Sequence, residues 1–222
     1  MSNQHVTQTR GLFLSFEGVD GSGKSTQAAL LAKTLSERGM AVELLREPGG
    51  TALGEKLREV LLSRSETRIG IASELLLFSA ARAQLLEERI RPALAAGTIV
   101  ILDRFCDSTF AYQGYGRSLP EGFLEAIETW VVGANQPDCT WLLDVPPEVS
   151  RERRQVRGEA PDRFESEAEA FRERVRAGYL ERARRFPERI RTLDGSLTLA
   201  ELSLKIATAL EPMLGGNRRK ML

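Results

Sequence analysis

The chain has little cysteine, no net charge and no long hydrophobic run. Its 222 residues include only two cysteines, Cys106 and Cys139. Two cysteines cannot form the disulfide framework typical of small secreted proteins, so a reducing, cytoplasmic compartment is expected. No apolar run approaches the roughly 20 residues that span a bilayer, and residues 1–10 are too polar for a signal peptide. We therefore expect no membrane partner.

The charge balance also limits the possible partners. Lys and Arg together number 31, as do Asp and Glu. Proteins that coat nucleic acid need a cationic excess to neutralise phosphates, so we expect no nucleic-acid partner. The length fits one domain with a small insertion. We assign residues 1–10 to a polar N-terminal tail, residues 11–214 to the domain, and residues 215–222 to a flexible C-terminal tail.

Short apolar runs alternate with helical patterns along the chain. The runs at 12–16, 41–45, 98–102, 140–143 and 190–193 predict five buried strands. Helical patterns lie between them, with Gly39 as the expected stop of the first helix and Pro92 as a kink within residues 73–96. The final helix is expected over residues 199–214. The alternation predicts an α/β fold with three layers, a parallel sheet between two layers of helices.

A glycine-rich turn after the first strand has the P-loop pattern. Gly18, Gly23, Lys24 and Ser25 match Gly-x-x-x-x-Gly-Lys-Ser between a predicted strand and a predicted helix. Glycines let backbone N–H groups converge on phosphate oxygens, and the helix adds its positive end. The lysine of this motif reaches the β- and γ-phosphates, and its serine holds Mg²⁺. We predict a P-loop NTPase-type fold in which ATP is bound by Gly18, Val19, Asp20, Gly21, Ser22, Gly23, Lys24, Ser25 and Thr26.

Two charged residues follow the third strand, where ligands bind in a parallel sheet. Asp103 there could join Ser25 in orienting the metal, or it could simply cap a helix. Arg104 could bind phosphate, or it could be a surface residue. The P-loop favours the catalytic interpretation of Asp103, whereas a lone arginine such as Arg104 is more often a surface residue.

The sequence lacks the guanine-reading motif of GTPases. Residues 135–138 read Asn-Gln-Pro-Asp, without the lysine of Asn-Lys-x-Asp. A small P-loop chain with an arginine-rich segment instead suggests a nucleoside or nucleotide kinase. A nucleotide-binding module without turnover stays open as an alternative, although the set of Lys24, Ser25, Asp103 and Arg104 argues against it.

Several blocks, in order along nearly the whole chain, resemble the thymidylate kinase family. They are the P-loop with its preceding Phe-Glu, and then residues 46–51 (Arg-Glu-Pro-Gly-Gly-Thr), 77–82, 103–105 (Asp-Arg-Phe), 111–114 and 162–165 (Asp-Arg-Phe-Glu). The resemblance implies Mg²⁺-dependent phosphorylation of dTMP to dTDP by ATP, in a homodimer. Another nucleoside monophosphate kinase or a deoxynucleoside kinase remains the nearest alternative.

The resemblance also implies roles for individual residues. Phe78 would stack on thymine and Arg82 would donate to a thymine carbonyl, although by sequence alone they could be a core aromatic and a salt-bridged arginine. Asp20 would accept from the 3′-hydroxyl group, and Tyr112 would crowd the 2′ position of the sugar. The dTMP site implied in this way comprises Asp20, Glu47, Pro48, Phe78, Arg82, Arg104, Tyr112 and Gln113.

An arginine-rich segment at about residues 148–165 is expected to form a small lid. Positions 21 and 22 of the P-loop are neutral, so the resemblance implies the family subtype whose catalytic arginine lies in the lid. Arg154 and Arg157 are the candidates, with Arg153 close behind. The catalytic set is therefore predicted as Lys24, Asp103, Arg104, Arg154 and Arg157, with Ser25 and Asp103 at the metal. The resemblance also places the ATP base near residues 194–196.

Overall fold

Five parallel strands form the centre of the molecule, in the order β2-β3-β1-β4-β5. The computed structural model describes residues 10–63, 68–157, 163–164 and 167–218. The strands are β1 (Phe13–Glu17), β2 (Val42–Arg46), β3 (Ile99–Asp103), β4 (Cys139–Asp144) and β5 (Ile190–Asp194). The predicted α/β architecture and all five strands are confirmed.

Each strand ends one residue later than its apolar run. The added residues are all charged, namely Glu17, Arg46, Asp103, Asp144 and Asp194. They remain in the backbone ladder; Asp103 is paired with both Phe16 and Arg46. The carboxyl edge of the sheet is therefore a row of charged side chains, at the edge where parallel sheets bind ligands.

Helices cover both faces of the sheet, because alternate strand residues point to opposite sides. Leu14 and Phe16 pack with α1 and α9, whereas Phe13 packs with α3 and α4. The α-helices are α1 (Lys24–Glu37), α2 (Ala52–Leu62), α3 (Ile71–Leu85), α4 (Arg91–Ala95), α5 (Cys106–Thr109), α6 (Glu121–Val131), α7 (Pro147–Arg157), α8 (Glu169–Arg185) and α9 (Leu199–Arg218). None of the helices in these described ranges is long and apolar enough to cross a membrane.

Two π-helical segments interrupt the α-helical pattern. The first, Leu86–Ile90, joins α3 to α4 and ends two residues before Pro92. The expected disruption therefore takes the form of a widened turn, in keeping with the missing N–H of proline. The second, Phe110–Gly116, continues α5 and was not predicted.

The end of the chain differs from the prediction. Helix α9 continues to Arg218, so residues 215–218 extend the helix instead of beginning a tail. Gly215, the first residue of the predicted tail, does not have a positive φ. A glycine ends a helix through the left-handed conformation, and Gly215 does not use it. Residues 1–9 and 219–222 of the predicted tails lie outside the described residues.

Candidate active site

The P-loop connects β1 to α1 in a conformation that requires glycine. Gly18 and Gly21 have φ values of 139° and 79°, a region that side chains disfavour. A Cβ atom on Gly18 would lie 2.5 Å from the carbonyl oxygen of Leu143, and one on Gly21 would lie 2.7 Å from that of Ser150. The loop can therefore pack against β4 and α7 only without side chains at these positions.

Lys24 is buried at the beginning of α1. Its Nζ lies 3.6 Å from Oδ1 of Asp20 and 3.5 Å from the carbonyl oxygen of Val19. Burial lowers the pKa of Lys24, and the nearby Arg104 lowers it further, whereas Asp20 and Asp103 oppose the shift. The ammonium group thus lies at the floor of the P-loop among groups of both charges.

Ser25 and Asp103 meet directly. The Ser25 hydroxyl donates to Oδ2 of Asp103 over 2.5 Å. The other carboxylate oxygen, Oδ1, is buried and has no hydrogen-bond partner among the described residues. Mg²⁺ prefers oxygen ligands and typically binds through one or two protein groups together with substrate phosphates. This donor pair fits such an ion.

Arg104 and Asp20 form the second charged pair beside the P-loop. Nη2 of Arg104 donates to Oδ1 of Asp20, and Nη1 donates to the carbonyl of Gly18 over 3.0 Å. The Tyr112 hydroxyl donates to Oδ2 of Asp20 over 3.1 Å. Burial alone would raise the pKa of Asp20, but Arg104 and Lys24 outweigh it and hold this pKa well below its usual range. Asp20 is therefore an ionised acceptor.

Arg82 lies in a buried network at the end of α3. Its Nε donates to Oε2 of Glu47 over 2.8 Å, and its Nη2 lies 2.7 Å from the same oxygen. Nη1 donates to Thr109 over 3.0 Å, and Nη2 also donates to the carbonyl of Phe105 over 3.2 Å. Arg82 is thus salt-bridged, and because it also lines the cavity described below, its contact with a base stays a prediction.

Glu74 holds the neighbouring Gln113. Gln113 lies in the second π-helical segment, is buried, and donates from Nε2 to Oε1 of Glu74 over 2.8 Å. Oε2 of Glu74 accepts from Arg163 over 2.8 Å, and Arg117 also lies against this carboxylate. Phe164, which follows Arg163 in the chain, packs on Phe78 with ring centroids 5.8 Å apart.

One cavity of about 330 Å³ connects these groups at the carboxyl edge of the sheet. The predicted residues in its lining are Asp20, Lys24, Ser25, Glu47, Pro48, Phe78, Arg82, Asp103, Arg104, Tyr112 and Gln113. Val19, Ser22 and Thr26 were predicted for ATP binding but do not line this cavity. Val19 and Ser22 are buried, and Thr26 is exposed on α1. The cavity therefore joins the P-loop lysine to the residues assigned to a nucleoside.

Sequence reasoning missed part of this lining. The residues not predicted are Arg46, Arg58, Leu62, Phe105, Ser108, Thr109 and Phe164. Arg46 and Phe164 stand in blocks that carried the resemblance, and Arg46 also ends a strand, so both had a usable signal. Ser108 and Thr109 had none, because α5 was not predicted.

Helix α7 brings two arginines to the P-loop. Nη1 of Arg153 donates to the carbonyl of Gly195 over 2.8 Å and lies 3.5 Å from the carbonyls of Gly21 and Ser22. Arg154 folds back onto the carbonyl of Ser150. The side chain of the third candidate, Arg157, and residues 158–162 and 165–166 of the predicted lid lie outside the described residues. Gly195 follows β5, so the segment expected to meet the ATP base lies beside the P-loop.

Comparisons with known proteins agree on one family. A family model described as thymidylate kinase matches residues 16–206. The chain is 48% identical over 206 residues to a thymidylate kinase of Alkalilimnicola ehrlichii, covering 93% of each chain. It is 49% identical over 202 residues to one of Nitrosomonas eutropha, covering 91% of this chain and 93% of the relative. The crystal structure of thymidylate kinase from Ehrlichia chaffeensis aligns with a TM-score of 0.73 at 34% identity, covering 90% of this chain and 99% of that one.

Proposed function

Because this chain belongs to the thymidylate kinase family and phosphorylates dTMP to dTDP, we propose that its cavity binds dTMP and that its P-loop binds ATP. The observation that carries the assignment is the cavity itself, which Lys24 and Ser25 line together with Phe78 and Gln113. A phosphate group and a nucleobase can therefore occupy one continuous space.

The phosphate end supports transfer by positioning and charge neutralisation. The acceptor is itself an anionic phosphate, so no strong general base is required. Lys24 and Arg104 both line the cavity and offer cations to the phosphates. In phosphoryl transfer such groups stabilise the charge on the transferring oxygens. Arg153 and Arg154 are the described arginines that approach from the donor side.

Ser25 and Asp103 are the residues that would hold Mg²⁺. The ion would supply positive charge that neutralises the donor phosphates. The hydroxyl and carboxylate of these residues fix the oxygen ligands at the junction of α1 and β3, beside Lys24.

The nucleoside end of the cavity supports base recognition by a stacking surface and a hydrogen-bond donor. Phe78 offers an apolar ring face for stacking. Of the five N–H groups of Arg82, the described hydrogen bonds to Glu47, Thr109 and Phe105 use three, one of them on Nη1, so the second N–H of Nη1 remains for a base carbonyl. The contacts of Asp20 and Tyr112 with each other and with Arg104 support their proposed role at the sugar.

We also infer a homodimer formed through α2, α3 and α6. These helices pack side by side and expose Leu53, Val60, Leu76, Phe123 and Trp130, of which Trp130 is 87% exposed. Contiguous exposed apolar side chains mark interaction surfaces. Sedimentation velocity should show a dimer for the wild type and a monomer for Leu76→Glu. The matched variant Leu204→Glu, at an exposed leucine of α9, should remain dimeric. A monomeric wild type would contradict the proposal.

We also propose a reducing, cytoplasmic location without nucleic-acid or membrane partners, and the state of the two thiols is consistent with its reducing character. Cys106 and Cys139 are both free and buried. Burial raises the pKa of Cys139 to about 11 and that of Cys106 well above its usual range, which disfavours the reactive thiolate.

A panel of acceptors tests the assignment. Purified protein with ATP and Mg²⁺ is offered dTMP, dUMP, dCMP, dGMP or thymidine, and ADP release is measured. We expect the highest kcat/KM with dTMP. Preference for another nucleotide would overturn the roles of Phe78 and Arg82. ATP binding without turnover of any acceptor would instead support the non-catalytic alternative.

A further inference from the structure

Arg104 has a backbone conformation that residues with side chains disfavour. Its φ of 71° lies in the left-handed region. Two contacts from β1 hold it there. The Arg104 N–H donates to the carbonyl of Phe16 over 2.9 Å, and the following N–H, of Phe105, donates to Oε1 of Glu17 over 2.7 Å. The Glu17 carboxylate thus fixes the peptide that follows Arg104.

The same carboxylate organises the surroundings of the guanidinium. Oε2 of Glu17 accepts from the hydroxyls of Ser108 and Tyr179, over 2.7 Å and 3.1 Å. These two oxygens lie 2.7 Å apart. Both also accept from Nη1 of Arg104, over 3.3 Å and 2.9 Å respectively. Because Oε2 accepts from both hydroxyls, their protons point toward Glu17 and their lone pairs are left to face the guanidinium.

Neither Glu17 nor Tyr179 can touch a substrate. Glu17 is fully buried and Tyr179 is 2% exposed. The cavity is lined by Arg104 but by neither of these two residues. Any effect they have on the reaction must therefore pass through Arg104 or its neighbours.

We propose that Glu17 and Tyr179 are positioning residues for phosphoryl transfer, which hold the backbone and guanidinium of Arg104 in the orientation that meets the phosphates. The proposal rests on the role of Arg104 proposed above. It also gives α8 a function at the phosphate end, since Tyr179 belongs to that helix. Small misplacements of catalytic groups can reduce rates about 100-fold, so the loss should appear mainly in kcat.

Two variants test the positioning role. Tyr179→Phe removes one hydroxyl and keeps the ring; we expect kcat to fall about tenfold, with the KM for ATP unchanged. Glu17→Gln keeps the shape and one acceptor oxygen but turns N–H donors toward the hydroxyls, so its loss should be at least as large. Tyr115→Phe makes the same chemical change on a ring that is 39% exposed, and should match the wild type. Assays below the lowest melting temperature separate slow catalysis from unfolding.

A double-mutant cycle with Arg104→Met separates the possible failures. In that background, Tyr179→Phe and Glu17→Gln should lower kcat no further, because their effect passes through Arg104. If Arg104→Met alone keeps the wild-type kcat, the proposed role of Arg104 fails. Two results would overturn only the positioning role, with Arg104→Met itself slow. Either Tyr179→Phe and Glu17→Gln alone keep the wild-type kcat, or each lowers kcat by the same factor in the Arg104→Met background as in the wild type.

Discussion

Arg82 and Arg104 line the cavity proposed for dTMP, which we call the acceptor end of the site. They are held in a different way from the two arginines of α7. Arg82 is buried against the carboxylate of Glu47, and the partly buried Arg104 is paired with the carboxylate of Asp20. Taking such a pair out of water is costly, and removing one partner leaves the other charge uncompensated. The acceptor end therefore has its geometry built into the folded state.

In the described contacts, Arg153 and Arg154 of α7 are held by hydrogen bonds to backbone carbonyls. They are partly exposed and contact backbone carbonyls, with Nη1 of Arg153 2.8 Å from the oxygen of Gly195. Hydrogen bonds of this kind can exchange for phosphate oxygens at little cost. One end of the site is therefore fixed before substrate binds, whereas the other end has cations that are able to change partners.

Lys24 lies where the two regions meet, and its loss should have the largest effect. Lys24→Met removes the cation on the P-loop floor, so we expect kcat to fall about 10³-fold, with dTMP affinity nearly unchanged. Steady-state kinetics and calorimetric titration with dTMP measure the two quantities. Lys33→Met, on the exposed face of α1, is the control. A folded Lys24→Met variant with full turnover would refute the P-loop assignment.

Breaking the buried pair at the acceptor end should cost stability. Glu47→Gln leaves Arg82 buried without its anion, so urea unfolding should show a free energy of unfolding lower by about 3 kcal/mol. The exposed pair of Arg46 and Glu55 provides the matched control, since Glu55→Gln should cost only about 0.5 kcal/mol. Equal losses would mean that the acceptor end is no more rigid than the surface.

The α7 arginines should show the opposite pattern. Arg153→Ala and Arg154→Ala are each expected to lower kcat by roughly tenfold or more, while the free energy of unfolding changes little. Exposed Arg151 supplies the control, Arg151→Ala. A stability loss as large as that of Glu47→Gln would remove the distinction between the two regions, and unchanged kcat in both variants would transfer the catalytic role to Arg157.

The smallest effect concerns pH. Burial, assisted by Asp107, raises the pKa of Glu17 from an ordinary 4.5 to about 7. Between these values the folded protein binds more protons than the unfolded chain, so Glu17 makes the free energy of unfolding fall as pH rises. Glu17→Gln should flatten that decline in urea unfolding between about pH 5 and pH 8. Parallel curves for the variant and the wild type would contradict the shift.

The strands and the P-loop were predictable because their signals are local. Residues 99–102 are a β-branched and leucine run that packs inside the sheet whatever surrounds it, and the glycine spacing of residues 18–23 depends only on the loop. Strand ends were placed one residue early, because charged residues such as Asp103 remain in the ladder while ending the apolar run.

The rest of the site depends on contacts between distant residues. Glu47 and Arg82 are 35 positions apart, and no local pattern marks them as partners. The π-helical segment Phe110–Gly116 packs on α8, where Gly178 lets the backbone approach so closely that a Cβ there would lie 2.9 Å from Tyr115. The π-helical turn goes with this tertiary packing, and the sequence pattern does not show it. The surroundings of Tyr112 and Gln113 could therefore not be predicted.

The bond between Gln113 and Glu74 has a consequence for which pyrimidine is accepted. Since the Glu74 carboxylate accepts from Gln113 Nε2 and from Arg163, the amide cannot flip without placing oxygen against oxygen. Its own carbonyl is thereby left to accept, which suits a ring nitrogen that carries hydrogen, as N3 of thymine does. Cytosine has a lone pair at N3, which would repel the lone pair of the amide oxygen. We therefore expect this amide to discriminate against dCMP. A kcat/KM for dCMP equal to that for dTMP would show that it does not.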